Sequence, residues 1–312
     1  MRCMVLTPRD LTILRAVHRH RLLRSTHLVA LLGSSRQTTL RRLQLLFHHG
    51  YLDRPSMQLD WYARGSEPLV YALGSRGAEL LETEGVVRRG GVRWDTKNRN
   101  LSRVFLHHTL AVAEVMVAFE VACRSREGVR FIPPEEVLAR APEATRRLHL
   151  PFRWQVQVRH RGKPCRLGVE PDRVFGLEFQ GLPENRRRSY FFLEADRGTM
   201  PVVRKRLGQT SFLRKLLCYQ GTWRQGLHRT HLGISNFRVL TVTTSRERLE
   251  HLMEASRLPG GGSRLFLFTD QESLARGDVL MHEWANKQEE AVRLTADPQS
   301  LAYISQSSRC HS

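Results

Sequence analysis

The chain of 312 residues is 41% hydrophobic, long enough for two domains and apolar enough to bury a core, which excludes a disordered chain. Lys plus Arg number 50 against 30 Asp plus Glu, a formal charge of +20, and only Lys97, Lys163, Lys205, Lys215 and Lys287 among the basic residues are lysines. Guanidinium forks match phosphates and base edges, so this balance favours a nucleic-acid partner. The five cysteines (Cys3, Cys123, Cys165, Cys218, Cys310) show no CxxC or zinc spacing. With no apolar run of bilayer length and no apolar leader, the expectation is a reduced, cytoplasmic protein without a membrane anchor.

Residues 7–85 read as three helices, a hairpin and a fourth helix. Thr7-Pro8 is an N-cap followed by proline at the first helical position, and Leu11, Leu14 and Val17, with Ile13, form the buried stripe. Ser25-Thr26 opens a short second helix that stops at Gly33. Ser34-Ser35 then starts a third, "RQTTLRRLQLLFHHGYL", with Leu40, Leu43, Leu46 and Phe47 on its apolar face and its basic residues near the start. A short helix, a brief turn and a basic helix follow helix-turn-helix grammar. Two strands, Leu52–Asp53 and Leu69–Leu73, flank a polar loop, and "YALGSRGAELL" closes with a helix. That order resembles the winged helix of DNA-binding regulators and initiators. The resemblance implies that Arg36, Gln37, Thr39, Arg41 and Arg42 approach base edges or phosphates in a major groove, while Arg54 and Arg64 on the wing touch the backbone or minor groove. A winged helix used for protein contacts, with its arginines merely solvated, is the alternative. Residues 1–100 carry 17 basic against 8 acidic side chains, which argues for DNA.

Residues 86–100 read as a polar, glycine-bearing linker, 101–285 as a second domain and 286–312 as a flexible tail. The second domain opens with an amphipathic helix, 101–124, whose adjacent His107 and His108 point about 100° apart and do not serve one metal. Strand-like runs follow: "RFIPP", "FRWQVQVRH", "VEPDRVFGLEF" and "SYFFLEADRG", the last two expected to pair antiparallel. Next come a long helix over Val202–Gln225, a strand "FRVLTVTTS", a helix "SRERLEHLMEAS", a turn at Gly260–Gly262 and a strand "RLFLFTD". The class is mixed α/β with a central mixed sheet.

Glu194 and Asp196 lie two apart at a strand end and so project to one face. Asp172, on the neighbouring strand, is expected to join them, and three acids so placed suit a hard cation such as Mg²⁺. A surface ion-pair cluster with Arg197, Arg204 and Arg206 is the ordinary alternative. Pro171-Asp172 followed by Glu194 on the next strand resembles the PD-(D/E)xK nuclease pattern of restriction-endonuclease-like folds. Over residues 7–285, with Glu194-Ala195-Asp196-Arg197-Gly198 and the later Lys215 and Tyr219, the chain resembles the replication-relaxation family of plasmid and mobile-element proteins. The resemblance implies a role in plasmid replication or DNA relaxation, with nicking by Asp172, Glu194 and Asp196 around Mg²⁺. The nuclease pattern has lysine where this chain has Asp196, and Lys215, or secondarily Lys205, is the substitute. The alternatives are a non-catalytic initiator or regulator with a degenerate nuclease-like domain, and a tyrosine relaxase using Tyr219, for which His228 and His231 lack the expected alternation. Double-stranded DNA is the expected partner. A homodimer, or a replication or mobilisation protein, is left open.

Overall fold

The computed structural model of the chain describes residues 4–58, 67–86, 98, 101–160, 163–257 and 264–294. The expected wing loop with Arg64, most of the expected linker, the turn at Gly260–Gly262 and the last 18 residues therefore lie outside the described residues. The chain forms two compact units that divide between Val121 and Ala122.

In the first unit, Thr7 donates its backbone N–H and its hydroxyl to the Asp10 carboxylate at 2.6 and 2.8 Å, and Pro8 takes the first helical position of α1 (Pro8–His20). Strand β1 (Leu22–Arg24) and α2 (Ser25–Leu32) follow, and Gly33 ends α2 at φ 59°, a left-handed position that glycine takes without steric cost. Then come α3 (Arg36–His48), β2 (Leu52–Asp53), β3 (Val70–Leu73), α4 (Ser75–Thr83) and α5 (Arg103–Arg124). The three strands form an antiparallel sheet ordered β1-β3-β2. Strand β1 is absent from the sequence reading because three residues carry no readable alternation.

Helix α5 packs with this unit, although sequence placed it with the second. Ala113 and Val117 join the core of Ile13, Leu14, Val17 and Leu43. Glu120 pairs with His20 at 2.9 Å and Arg19 at 3.3 Å, and Glu114 with His27 at 2.8 Å and Arg24 at 2.9 Å. Helix α5 has the length and mean hydropathy of a bilayer span by composition alone, and 56% of its apolar window is buried within the protein, as in a core helix.

The second unit contains β4 (Val129–Ile132), α6 (Pro134–Ala139), α7 (Glu143–Arg146), β5 (Trp154–His160), β6 (Lys163–Val169), β7 (Arg173–Phe179), α8 (Glu184–Arg187), β8 (Arg188–Ala195), α9 (Phe212–Arg224), α10 (Leu227–Thr230), β9 (Arg238–Thr243), α11 (Arg246–Arg257), β10 (Phe266–Asp270), α12 (Gln271–Ala275), β11 (Trp284–Ala285) and β12 (Ala291–Val292). The expected mixed sheet is present, seven strands ordered β12-β11-β10-β9-β8-β7-β4. Strands β8, β9 and β10 run parallel through crossovers over α9 and α11, and β7 pairs antiparallel with β8 as expected. Aromatic and aliphatic runs suit central strands: every residue of β9 and β10, and all of β8 but Arg188, is buried.

Strands β5 and β6 form a separate two-stranded ribbon, whose inner residues Trp154, Val156 and Val158 join the core with Phe192, Leu216 and Tyr219. Helix α9 crosses this ribbon at Gly221, where a Cβ would stand 2.5 Å from Val156 Cγ2; only glycine fits. The long helix expected from Val202 begins at Phe212 instead. Ser211 caps it by accepting the Arg214 N–H at 3.3 Å, which leaves Lys205 on an exposed loop. The expected tail carries the edge strand β12.

Candidate functional site

The carboxyl ends of β8, β9 and β10 and the amino end of β7 share one end of the sheet, where crossover folds place their sites. Arg173 pairs with Leu193, and the Asp172 N–H still bonds the Leu193 carbonyl at 3.1 Å. The strand pairing ends there, and Asp172 lies close enough to Glu194 for its charge to act on the Glu194 carboxyl. Asp172 Oδ2 also accepts the Ala195 N–H at 2.8 Å, which fixes its carboxylate over the end of β8.

Two carboxylates so close repel, and α9 supplies the counter-charge. Lys215 and Tyr219, one helical turn apart, both reach Glu194: Lys215 Nζ donates to one carboxylate oxygen and the Tyr219 hydroxyl to the other. Glu194 is 3% exposed. Burial pushes its carboxyl up to about 7; Asp172 adds to the rise, while Lys215 and Tyr219 resist it. Burial opposes the charge on Lys215, but Glu194, Asp172 and Asp196 outweigh it and hold the ammonium protonated above its usual range. Burial and the neighbouring Glu194 keep Tyr219 a neutral donor.

Asp196 goes elsewhere. Its carboxylate accepts Arg248 Nε at 2.9 Å and Nη2 at 3.1 Å, the Thr243 hydroxyl at 2.8 Å and the Gly198 N–H at 3.2 Å. Burial opposes ionisation, yet these donors, Arg248 foremost, hold the acid below the ordinary carboxylate range. Among the described residues no three His, Cys, Asp or Glu side chains group as a metal cage. The expected triad thus resolves into a pair, Asp172 and Glu194, and a separate acid neutralised by Arg248. Sequence reading missed Arg248; the signal lies in topology, because α11 starts directly after β9, at the same sheet end as Asp196.

Beside the pair opens a cavity of ≈ 280 Å³, walled by Arg153, Glu170, Glu194, Arg214, Lys215 and Tyr219. Arg214 donates to the Gly168 carbonyl at 3.5 Å and has a buried Nε with no protein acceptor. Of the relaxase candidates, Tyr219 is 2% exposed, His228 is buried and stacked on Trp223 at 4.8 Å, and His231 bonds the Pro151 carbonyl at 2.8 Å. These histidines have packing roles.

In the first unit the residues expected to face DNA divide. Arg36, Gln37 and Arg41 are exposed, and Gln37, Arg41, Gln44, Leu45 and His48 follow one face of α3. Thr39 is fully buried and bonds the Ser35 carbonyl at 3.0 Å. Arg42 forks onto Asp10 of α1, Nε to Oδ1 at 2.6 Å, and donates to the Val5 carbonyl at 2.8 Å. Arg54 lies over the Phe47 ring at 4.1 Å and donates to the Tyr71 hydroxyl at 3.0 Å. Thr39, Arg42 and Arg54 are held by partners within the unit's own framework.

No curated protein and no solved structure matches the chain. The model of the replication-relaxation family matches residues 14–238, a span running from α1 to the start of β9 and including Asp172, Glu194, Asp196, Lys215 and Tyr219. The chain therefore belongs to the replication-relaxation family, which supports a role in plasmid or mobile-element replication or DNA relaxation.

Proposed function

We propose that the protein binds duplex DNA through the exposed face of α3, in winged-helix fashion, and nicks DNA at the Asp172–Glu194 pair with one divalent cation. The observation that carries this reading is Lys215. A nuclease of PD-(D/E)xK type needs a lysine near its paired acids, the strand end offers Asp196 in that place, and α9 delivers an ammonium to Glu194 from outside the strand.

The acids fit Mg²⁺ in kind. That ion takes one or two carboxylates and completes its octahedron with waters and substrate phosphate oxygens, so a third protein acid is not required. Bound there, it would polarise the phosphate and make a water more acidic. Asp172 and Glu194 would hold it. Lys215 would orient the attacking water and offset developing negative charge, as fixed cations do in phosphoryl transfer. Tyr219 keeps Glu194 in place, and Arg214 and Arg153, on the cavity wall, would receive non-bridging phosphate oxygens.

A second reading, a non-catalytic initiator or regulator, is favoured by one observation: both Glu194 oxygens and the Asp196 carboxylate already have protein donors. Supercoiled plasmid separates the two. The nicking reading expects open circles from the wild type with Mg²⁺ or Mn²⁺, none with chelator, and none from Glu194→Gln. Supercoils that persist with either metal, despite intact duplex binding, would select the regulator.

A further inference from the structure

The outer face of the β5–β6 ribbon matches neither unit's described role. On β5 the residues alternate: Trp154, Val156 and Val158 are buried, while Arg153, Gln155, Gln157 and Arg159 are exposed. Register sets Gln157 opposite Arg166 and Arg159 opposite Pro164, so Arg166 shares that outer face, while Lys163, exposed at the distal end of β6, is paired with His160 and so belongs by parity to the other face. The face bears no large apolar side chain. Its one acid, Glu170, lies at the base and pairs with Arg153 at 3.8 Å.

Some exposed arginines of this unit are neutralised, while Arg146, Arg206, Arg224 and Arg229 have no ion pair among the described residues. Arg130 meets Glu136 and Glu178, Arg257 meets Glu289, Arg276 meets Glu272 and Arg293 meets Glu283. Among the described residues, Arg159, Lys163 and Arg166 have no carboxylate partner. A basic, solvated face whose single acid is already paired at its base costs self-repulsion, and a polyanion relieves it.

We propose that this ribbon is a second DNA-contacting element, which lies against the major groove of a duplex and guides the strand toward the neighbouring cavity. Strands of seven residues span roughly 23 Å, and a two-stranded ribbon is one of the two elements that the major groove admits. Glutamine interleaved with arginine suits base edges and phosphates. The aromatic anchors that lead protein hot spots are missing from this face, and the deep, narrow major groove of A-form RNA does not admit a ribbon. The inner face is pinned by Trp154, whose indole N–H donates to Thr222 at 2.9 Å, and by Gln225, which bonds both the N–H and the carbonyl of Gln157. The ribbon therefore reaches DNA as a rigid element. Gln155 and Gly168 line the cavity, so the outer face runs into the candidate site.

The inference shares with the proposed function only the premise of duplex binding, and the test separates them. Duplex affinity of the full chain is measured against salt concentration for the wild type, for Arg159→Ala/Lys163→Ala/Arg166→Ala, and for Arg36→Ala/Arg41→Ala in α3, with circular dichroism to check the fold. Each lost phosphate contact removes about 0.9 from the slope of log affinity against log salt, so the ribbon variant should lose roughly 2 to 3. Gln155→Ala/Gln157→Ala should keep the slope and change the preference among duplex sequences. If the ribbon variant keeps the wild-type slope while the α3 variant loses it, the ribbon idea is overturned and the α3 reading stands. A loss confined to single strands, or no duplex binding by the wild type, also overturns it.

Discussion

Lys215 and Glu194, 21 residues apart in sequence, meet as an ammonium–carboxylate pair because α9 folds back over the end of β8. The pair makes stability depend on pH. The Glu194 carboxyl titrates at about 7, against 4.5 ordinarily, chiefly through burial. Between those values the folded chain holds this proton more tightly than the unfolded chain, so rising pH removes stability through this group. Glu194→Gln should abolish that dependence, while Lys215 stays charged in both states and contributes a constant. Urea midpoints between pH 5 and 8 should show the wild type losing roughly 2–3 kcal/mol relative to Glu194→Gln. Parallel curves would refute the raised carboxyl.

Asp196 and Arg248 form the opposite case. Asp196 is held below the usual range, so its stabilising contribution is present above about pH 4 and disappears as pH falls through its lowered folded value. Arg248→Leu strands a buried carboxylate, which should cost about 3–5 kcal/mol, and the double variant Asp196→Asn/Arg248→Leu should recover part of it. Denaturation of both variants, followed by an acid titration, checks this. The single variant should unfold at a higher pH than the wild type.

Arg41 and Arg42 are neighbours with different expected effects. Arg41→Ala, on the exposed face of α3, should leave thermal stability unchanged and reduce the salt slope of duplex binding by about 1. Arg42→Ala removes the partner of the fully buried Asp10 and should destabilise the first unit by about 3–5 kcal/mol. A calorimetric scan beside a binding titration tells them apart. Equal melting temperatures for Arg42→Ala and the wild type would contradict the staple.

Much of the fold is legible in the sequence where a pattern is long or punctuated. Thr7-Pro8, Gly33 and the alternation of β5 announce their elements, and the aromatic run of β8 announces a buried strand. Strand β1 and the start of α9 are not legible, since the first is three residues long and the second depends on a Ser211 cap that follows a basic stretch able to pass for a helix turn. The pairing of Asp172 with Glu194, and of Lys215 with Tyr219 through helical spacing, follows from local rules. The diversion of Asp196 to Arg248, and of Arg42 to Asp10, does not. Both are long-range choices among many arginines, and sequence spacing says nothing about which acid an arginine meets.

Asp172 and Glu194 are proposed to hold one divalent cation beside Lys215, and Mn²⁺ titration followed by electron paramagnetic resonance counts that ion. One bound ion per chain is expected in the wild type and none in Asp172→Asn/Glu194→Gln, with circular dichroism unchanged. An ion that binds the double variant as tightly as the wild type, or a wild type that binds none even with duplex DNA present, would contradict it.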